Sequence, residues 1–344
     1  MKISKELEAL FKDTEVSSGS MQAGKRQKQI RYITLMRGIN VSSYSTFGGL
    51  QSCDRKFAIK KMELADAGVD IKPMENVDFA FGKAVETGVH CVFLRKSPEE
   101  TFIEMFTSWD IPLYAEHPKG YAKRFVDATI AIDKLRYVLS IGHLFEGWEV
   151  AYFNDKAAIE LAMVIDCENG YFYCGHADMI LYNPTEHRYR VLEIKTTARK
   201  QLDEAMYKNS DQATGYSIML DSIAQDQEET ATFEVFYLVW NTANDNWTLF
   251  EFTKTRSQRA GWINTILLDF QRIELQRKFG FWPKRGTACL EYGRRCEYYT
   301  CCDLELSYFN SRGEFDIVTP EEIEEHQFDF HFKLSNIIAT QQER

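Results

Sequence analysis

Apolar residues recur every three or four positions over two long stretches in the first half of the chain. Between Tyr121 and Phe145 these positions include Ala128, Ile132 and Leu135, and residues 76–95 show a similar pattern. This spacing places side chains on one face of an α-helix. The first half of the chain is therefore predicted to be mainly helical.

The pattern becomes strand-like after about residue 150. Strands are predicted at residues 158–166, 170–183 and 188–197, separated by the turn sequences Glu-Asn-Gly and Asn-Pro-Thr-Glu-His, and together they predict an antiparallel meander. The later pattern predicts a helix at 202–224, strands at 232–240 and 247–253, and a long helix at 257–279. This succession predicts an α/β fold with a mixed central sheet flanked by helices.

The composition is that of an ordinary globular protein. Of 344 residues, 44% are hydrophobic and 14% aromatic, and only 7 are proline. We expect a flexible arm at 1–28 and one domain over 29–344. Its expected parts are a mainly helical part at 29–150, an α/β core at 151–280, a cysteine-rich segment at 281–310 and an acidic tail at 311–344.

Localisation follows from two missing signals. The sequence has no run near the ~18 apolar residues that a membrane span needs, and no signal peptide layout at its start. We therefore expect a cytoplasmic protein without membrane contact. In that reducing compartment, clustered cysteines are better interpreted as metal ligands than as disulfides.

The formal net charge of −10 weakens the case for a nucleic-acid partner without excluding it. Phosphate binding depends on local potential more than on total charge. Much of the acidic excess lies in the run Glu321, Glu322, Glu324 and Glu325. Basic clusters occur at Lys25, Arg26, Lys28 and Arg31, at Arg55, Lys56, Lys60 and Lys61, and at Lys284, Arg285, Arg294 and Arg295.

The main chemical signal lies on two adjacent predicted strands. Asp178 ends a Gly-His-Ala-Asp motif in one strand, and Glu193, Ile194 and Lys195 follow in the next. Because side chains alternate along a strand, Glu193 and Lys195 share a face and Ile194 points into the core. If the strands pair around the turn at 183–187, the two carboxylates meet and suit Mg²⁺ or Mn²⁺. A lysine beside such an ion can orient water and offset developing negative charge.

Two side chains on the following predicted helix extend this group. Gln212 and Tyr216 are four residues apart and so lie on one helix face. Their polar tips suit hydrogen bonding to a phosphate or to Lys195. An aspartate with a Glu-x-Lys would, on its own, often be only a surface ion pair.

Together these motifs resemble a known family. Gly-His-Ala-Asp, Leu-Glu-Ile-Lys-Thr-Thr and Ser-Asp-Gln-Ala-Thr-Gly-Tyr follow the order of the RecB-like branch of PD-(D/E)XK nucleases, especially its stand-alone phage-encoded members. The resemblance covers roughly residues 45–305. It implies a restriction-endonuclease-like core and metal-dependent hydrolysis of DNA.

One family element departs from its usual form. Members usually carry a metal-binding histidine in a Gly-x-x-x-His context, but here Glu86 follows Gly82 at that offset and His90 comes one turn later. Either could reach the metal, or Glu86 could bind it while His90 packs in the protein or contacts DNA, and we prefer Glu86. Glu160 is a further carboxylate that could support the ligands of this ion or bind a second one. The implied metal ligands are Glu86 or His90, Asp178, Glu193 and the main-chain carbonyl of Ile194.

The cysteines form a second constellation. Cys289, Cys296, Cys301 and Cys302 lie close together in the sequence, and the lead-in to Cys53 resembles that of iron–sulfur members of the same family, including AddB-type and CRISPR-associated nucleases. The resemblance implies a four-iron four-sulfur cluster on Cys53, Cys289, Cys296 and Cys302, with Cys301 as the alternate fourth ligand. Zinc would suit four thiolates equally. Such a centre would join distant parts of the chain, so its binding energy would also stabilise the fold.

The resemblance implies an exonuclease acting on single-stranded DNA or DNA ends, in replication, recombination or processing. The expected DNA contacts are Arg55, Lys56, Thr196, Arg199 and Lys200. The alternative is a nucleic-acid-binding or structural iron–sulfur subunit of a helicase or recombination complex without its own catalysis. The sequence does not give the oligomeric state.

Overall fold

The computed structural model describes residues 35–66, 76–113, 123–142, 144–230, 232–291, 294–326 and 328–343. The chain divides into two compact units. The larger unit contains residues 73–270 and 328–344, and the smaller contains 1–72 and 271–327. The predicted arm at 1–28 lies outside the described residues.

The described helices and strands are numbered in chain order. The helices are α1 Tyr44–Ser52, α2 Asp54–Asp66, α3 Val77–Phe93, α4 Pro98–Ser108, α5 Phe125–Ile141, α6 Glu204–Lys208, α7 Asp211–Asp226, α8 Arg256–Phe279, α9 Pro320–Glu325 and α10 Leu334–Glu343. The strands are β1 Val41–Ser42, β2 Glu149–Val150, β3 Tyr152–Phe153, β4 Lys156–Ala157, β5 Ile159–Asp166, β6 Phe172–Asn183, β7 Arg188–Thr197, β8 Glu234–Asn241, β9 Asn246–Thr253, β10 Leu290–Glu291, β11 Arg294–Arg295 and β12 Phe330–Lys333.

The sheet of the larger unit is mixed. Its strand order is β12-β5-β6-β7-β8-β9, with β2 also paired to β6. The pairs β5–β6, β6–β7 and β8–β9 are antiparallel, whereas β7–β8 and β12–β5 are parallel. The predicted meander, the later strand pair and the mixed α/β arrangement are therefore confirmed.

Asparagine side chains build two of the hairpin turns. Between β6 and β7, Asn183 Oδ1 accepts hydrogen bonds from the backbone N–H groups of Thr185 and Glu186, at 3.0 and 3.1 Å. Asn241 does the same for Ala243 and Asn244 after β8. Such turns satisfy backbone donors locally and fix the hairpin, which holds β6 and β7 in register.

The main hydrophobic core of the larger unit lies between the sheet and the helices α3, α4 and α5. It contains Phe81, Ala84 and Val85 of α3 and, from β7, Leu192 and Ile194. Helix α3 begins where Asn76 Oδ1 accepts the Asp78 N–H at 2.8 Å, which satisfies one free donor of its first turn. Ile194 thus points into the core as predicted, and α3 is packed where its polar residues can reach β7.

The predicted helix at 202–224 is in fact two helices. α6 ends at Lys208 and α7 begins at Asp211, with Ser210 as its N-cap residue. Asn, Ser and Asp favour helix caps because their short polar side chains compete with helical hydrogen bonding. The sequence Asn-Ser-Asp at 209–211 therefore interrupts an otherwise helical pattern.

The segment expected only as an acidic tail is ordered differently. Its glutamates fall in the short helix α9, and β12 then pairs in parallel with β5, with Phe330 opposite Met163. This strand has only four residues, from Phe330 to Lys333, and its alternation of apolar and polar side chains is too short to be recognised in the sequence. The expected single domain and its internal boundaries stay predictions.

The smaller unit is held by polar contacts of α2 with the last turns of α8 and with the segment that follows α8. Asp54 is fully buried and contacts Arg272, Gln276 and Arg285. Tyr298 donates a hydrogen bond to Glu63 at 2.6 Å. None of the described helices is long and apolar enough to cross a membrane.

Candidate active site

Three carboxylates lie level with one another on three neighbouring strands. Glu160 of β5 falls between the register pairs Ile159–Met179 and Leu161–Ala177, so it is level with Asp178 of β6. The pairing of β6 with β7 stops at Met179–Leu192, one residue short of Asp178 and Glu193. The predicted meeting of Asp178 with Glu193 is what this register produces.

Backbone geometry shapes this row. Asp178 Oδ2 accepts a hydrogen bond from the Ile194 N–H at 2.8 Å. The carboxylate therefore satisfies a backbone donor at the point where backbone pairing between β6 and β7 has ended. Glu160 has a φ of 51°, in the left-handed region that non-glycine residues rarely adopt. Such strained residues cluster at functional sites.

Glu86 of α3 joins the same group. Burial, then the negative charges of Asp178 and Glu160, raise the pKa of Glu86 well above its ordinary value, and its side chain hydrogen bonds with Glu160. His90, one turn further along α3, is 9% exposed. The structure therefore places Glu86 among the carboxylates of the site. Whether Glu86 or His90 binds the metal stays a prediction.

Glu193 and Lys195 form a contact pair at the centre. Glu193 is fully buried, and the ammonium of Lys195, whose side chain is 37% exposed, contacts its carboxylate. Burial raises the pKa of Glu193, while the positive charge of Lys195 opposes that rise. Burial alone would lower the pKa of Lys195, but the charges of Glu193 and Asp178 raise it above its ordinary value. Lys195 is therefore a protonated group at neutral pH.

Gln212 and Tyr216, which were predicted to share one helix face, form a hydrogen bond between their side chains. Tyr216 is 4% exposed, and burial, then the nearby charge of Glu193, raises its pKa well above the usual value. Its ring lies against Gly175, where an added Cβ would come within 2.7 Å of ring carbon Cε1. The glycine of the Gly-His-Ala-Asp motif is thus required to make room for Tyr216.

The donor set of this site fits a hard divalent cation. Carboxylate oxygens are the preferred ligands of Mg²⁺, and the described part of the structure gives buried Glu193 Oε2 no hydrogen-bond partner. Burial, and after it repulsion between carboxylates, raises the pKa of both Glu86 and Asp178, and a cation would offset that repulsion. Within the described ranges, however, no three acidic, histidine or cysteine side chains converge as a ready-made metal site. The carbonyl of Ile194 stays a predicted ligand.

The predicted DNA contacts fall in both units. In the larger unit, Thr196 lies beside α3, with its Oγ1 3.7 Å from a Cβ built on Gly82, and Arg199 and Lys200 are exposed just after β7. In the smaller unit, Arg55 donates to the carbonyls of Cys302 and Leu304, and Lys56 lies 3.6 Å from Glu297. Arg55 and Lys56 are thus engaged within the protein, and their contact with DNA stays a prediction. The basic cluster at 25–31 lies outside the described residues.

The predicted cluster cysteines all lie in the smaller unit. Cys53 is 7% exposed and ends α1. Burial raises the pKa of Cys302, and the Cys302 carbonyl accepts a hydrogen bond at 3.0 Å from Arg55, two residues after Cys53. Cys296 N–H donates to the Cys289 carbonyl at 3.0 Å. The thiol of Cys301 lies 3.7 Å from the Tyr298 carbonyl. The all-thiol donor set fits a soft metal centre, but the positions described do not bring three of these thiols together.

One residue beside the site was missed from the sequence. Tyr207 of α6 packs against Tyr237 and Phe250, with ring centroids 5.3 and 5.0 Å away. Burial raises the pKa of Tyr207, and the positive charges of Arg199 and Lys195 oppose this. Only the fold brings α6 against β8 and β9, so no local sequence signal could have identified Tyr207.

The chain is similar to known proteins over most of its length. The crystal structure of a protein named "Putative exonuclease" from Eubacterium rectale matches 77% of this chain and 87% of its own, at 13% identity and a TM-score of 0.44. No curated protein sequence matches the chain. The family model described as "PD-(D/E)XK nuclease superfamily" matches residues 41–303. The chain, with its row of carboxylates beside Lys195, belongs to the PD-(D/E)XK nuclease superfamily.

Proposed function

We propose that this protein is a divalent-metal-dependent deoxyribonuclease that acts as an exonuclease on single-stranded DNA or DNA ends. The observation that carries the proposal is the level row Glu160, Asp178 and Glu193, with Lys195 held against Glu193. Structural ion pairs rarely gather three carboxylates around one lysine, because mutual repulsion opposes it and, for the buried Glu193, desolvation does too. Asp178 and Glu193, with Glu86 or His90 and the Ile194 carbonyl, would hold the cation.

The bound cation and the residues around it would have separate roles in the reaction. A divalent cation supplies Lewis-acid activation of water and neutralises phosphate charge when it is bound. Lys195 would orient the attacking water and stabilise negative charge on the phosphate as an electrostatic group. Gln212 and Tyr216, hydrogen bonded to each other, would position the substrate phosphate or the lysine.

Metal-dependent cleavage tests this proposal. End-labelled single-stranded and duplex oligonucleotides are incubated with the protein in Mg²⁺, Mn²⁺, Ca²⁺ or excess chelator. We expect cleavage in Mg²⁺ or Mn²⁺ only, because Ca²⁺ accepts looser coordination and aligns water poorly. Stepwise shortening from one end indicates an exonuclease. Robust cleavage in chelator would contradict the proposed mechanism, and its absence under every condition would favour a binding or scaffolding role.

The cysteines carry a second part of the proposal. We propose that Cys53, Cys289, Cys296 and Cys302 hold a four-iron four-sulfur cluster, supported by the hydrogen bond from Arg55, two residues after Cys53, to the Cys302 carbonyl. Cys301 remains the alternate ligand and zinc the alternative metal.

Protein purified without oxygen is then expected to be brown, with iron and sulfide in equal amounts, because a cubane cluster contains both and absorbs visible light. Cys53→Ser should lose the iron. Cys167→Ser is the matched control, because burial holds its thiol pKa at about 12 and makes it a poor ligand. Colourless, zinc-containing protein would contradict the iron–sulfur assignment.

Other parts of the proposal rest on the sequence alone. The family resemblance implies the DNA contacts at Thr196, Arg199 and Lys200, a phage origin, and a helicase or recombination protein as partner. The cytoplasmic location is proposed from the composition of the sequence. The salt dependence of DNA binding in an Arg199 and Lys200 double variant would test the contacts, because each lost phosphate contact lowers the salt slope.

A further inference from the structure

A buried lysine lies beneath the joint between α6 and α7, which comprises residues 208–211. Lys254, the residue after β9, is fully buried. Its ammonium donates to the carbonyl of Lys208 at 2.6 Å and to that of Ser210 at 3.3 Å. Lys208 is the last residue of α6 and Ser210 is the N-cap residue of α7. One side chain therefore binds the backbone on both sides of the joint.

This placement is energetically unfavourable for the lysine itself. Within the described residues Lys254 forms no ion pair; Asp211, at the start of α7, acts on it only through its charge. From α8, Arg259 approaches on the other side, donating to the Lys254 carbonyl at 2.5 Å. Burial outweighs Asp211 and lowers the pKa of Lys254 to about 8. A buried ammonium that contacts carbonyl groups but no opposite charge is costly, so its presence needs an explanation beyond stability.

The joint determines where the polar residues of α7 lie. The side chain of Ser210 does not cap α7, so Lys254 supplies an anchor that the N-cap residue does not. Gln212 and Tyr216 lie in the first two turns after the joint, and Tyr207 precedes it. We propose that Lys254 is a positioning residue, which fixes the α6–α7 joint and thereby holds Gln212 and Tyr216 at the active site. This inference rests on the proposed nuclease function, because it assigns the lysine a role in the same site.

The experiment compares Lys254→Met with Lys61→Met. Lys61 is a matched control, because it is 2% exposed and donates to the carbonyls of Met36, Gly38 and Val41, each at 2.7 Å, within the smaller unit. In Lys254→Met, we expect amide hydrogen exchange over residues 204–216 to become about tenfold faster, and kcat to fall by about 10- to 100-fold with KM nearly unchanged. Lys61→Met should lower thermal stability without either change. If Lys254→Met does not fold, Lys254→Gln is measured in its place, because glutamine keeps a neutral hydrogen-bond donor.

The pH dependence provides a second readout. Because the folded pKa of Lys254 is lowered from 10.5 to about 8, the unfolded chain binds more protons between these values. The stability of the wild type relative to Lys254→Met should therefore rise from pH 8 to pH 10. Unchanged exchange over 204–216, or equal loss of kcat in Lys61→Met, would overturn the proposal. Absence of cleavage by the wild type would instead refute the nuclease function, while the exchange data would still decide the role of Lys254.

Discussion

Glu193→Gln is expected to reduce DNA cleavage by about 100- to 1,000-fold while the protein stays folded. The substitution keeps the side-chain shape but removes the charge that holds both Lys195 and the proposed cation. Because Glu193 is fully buried and its pKa is raised by burial, loss of this charge also relieves a desolvation cost. The thermal midpoint should therefore stay the same or rise, as happens when a strained functional site is relaxed. Asp178→Asn and Lys195→Met should lower cleavage similarly.

Glu251→Gln is the matched control for this result. Glu251 also lies in the sheet of the larger unit, on β9, and pairs with Arg190 at 2.8 Å, but its side chain is 52% exposed. It is expected to keep nearly full activity. Steady-state kinetics with a labelled oligonucleotide, combined with thermal unfolding of each variant, checks both expectations. Near-normal cleavage by Glu193→Gln would refute the active-site assignment.

Asp54→Ala is expected to destabilise the smaller unit by about 3 kcal/mol, because removing one partner of a buried ion pair leaves the others unsatisfied. Burial alone would raise the pKa of Asp54, but hydrogen bonds from Gln276 and Arg272 and the charge of Arg272 lower it below 3.8. A lowered carboxyl pKa stabilises the fold above its unfolded value and ceases to do so as the pH falls through the folded value. The difference in free energy of unfolding between the wild type and Asp54→Ala should therefore shrink below about pH 4.

Asp303→Asn provides the comparison. Asp303 lies in the smaller unit too and contacts Lys284, but its side chain is 90% exposed. Exposed pairs contribute little to stability, so chemical denaturation should not distinguish this variant from the wild type. An equally stable Asp54→Ala protein would show that the network around α2 does not hold the unit together.

The same network bears on the cysteines, because it joins α2 to the later segment without any thiol. Cys53→Ser can therefore lose a metal without freeing that segment.

The parts of the fold that the sequence predicted are those with strong local patterns. Helix α3 and strands β5 to β7 were placed within a few residues, because apolar periodicity and turn residues act over short distances. The contact of Lys195 with Glu193 followed from strand alternation, and the meeting of Asp178 with Glu193 from the length of the Asn183–His187 turn.

Other features depend on contacts between distant segments and could not be predicted. The anchoring of α6 and α7 by Lys254 requires β9 to end beneath them, and lysine in a sequence normally indicates surface. Strand β12 depends on pairing with β5, which no local pattern encodes. Glu160 was noticed as an extra carboxylate, but its level position beside Asp178 needed the register of the sheet.

The parallel pairing of β12 with β5 also affects how the chain is made. Ala162 and Asp329 hydrogen bond although 167 residues separate them, and residues 271–327 of the smaller unit are synthesised in between. On the ribosome, the edge of β5 therefore stays without this partner until residues 330–333 have emerged. Unpaired strand edges promote association between chains, and pairing across such sequence separation is slow. Nascent chains that stop before residue 330 should therefore be prone to aggregation and dependent on chaperones.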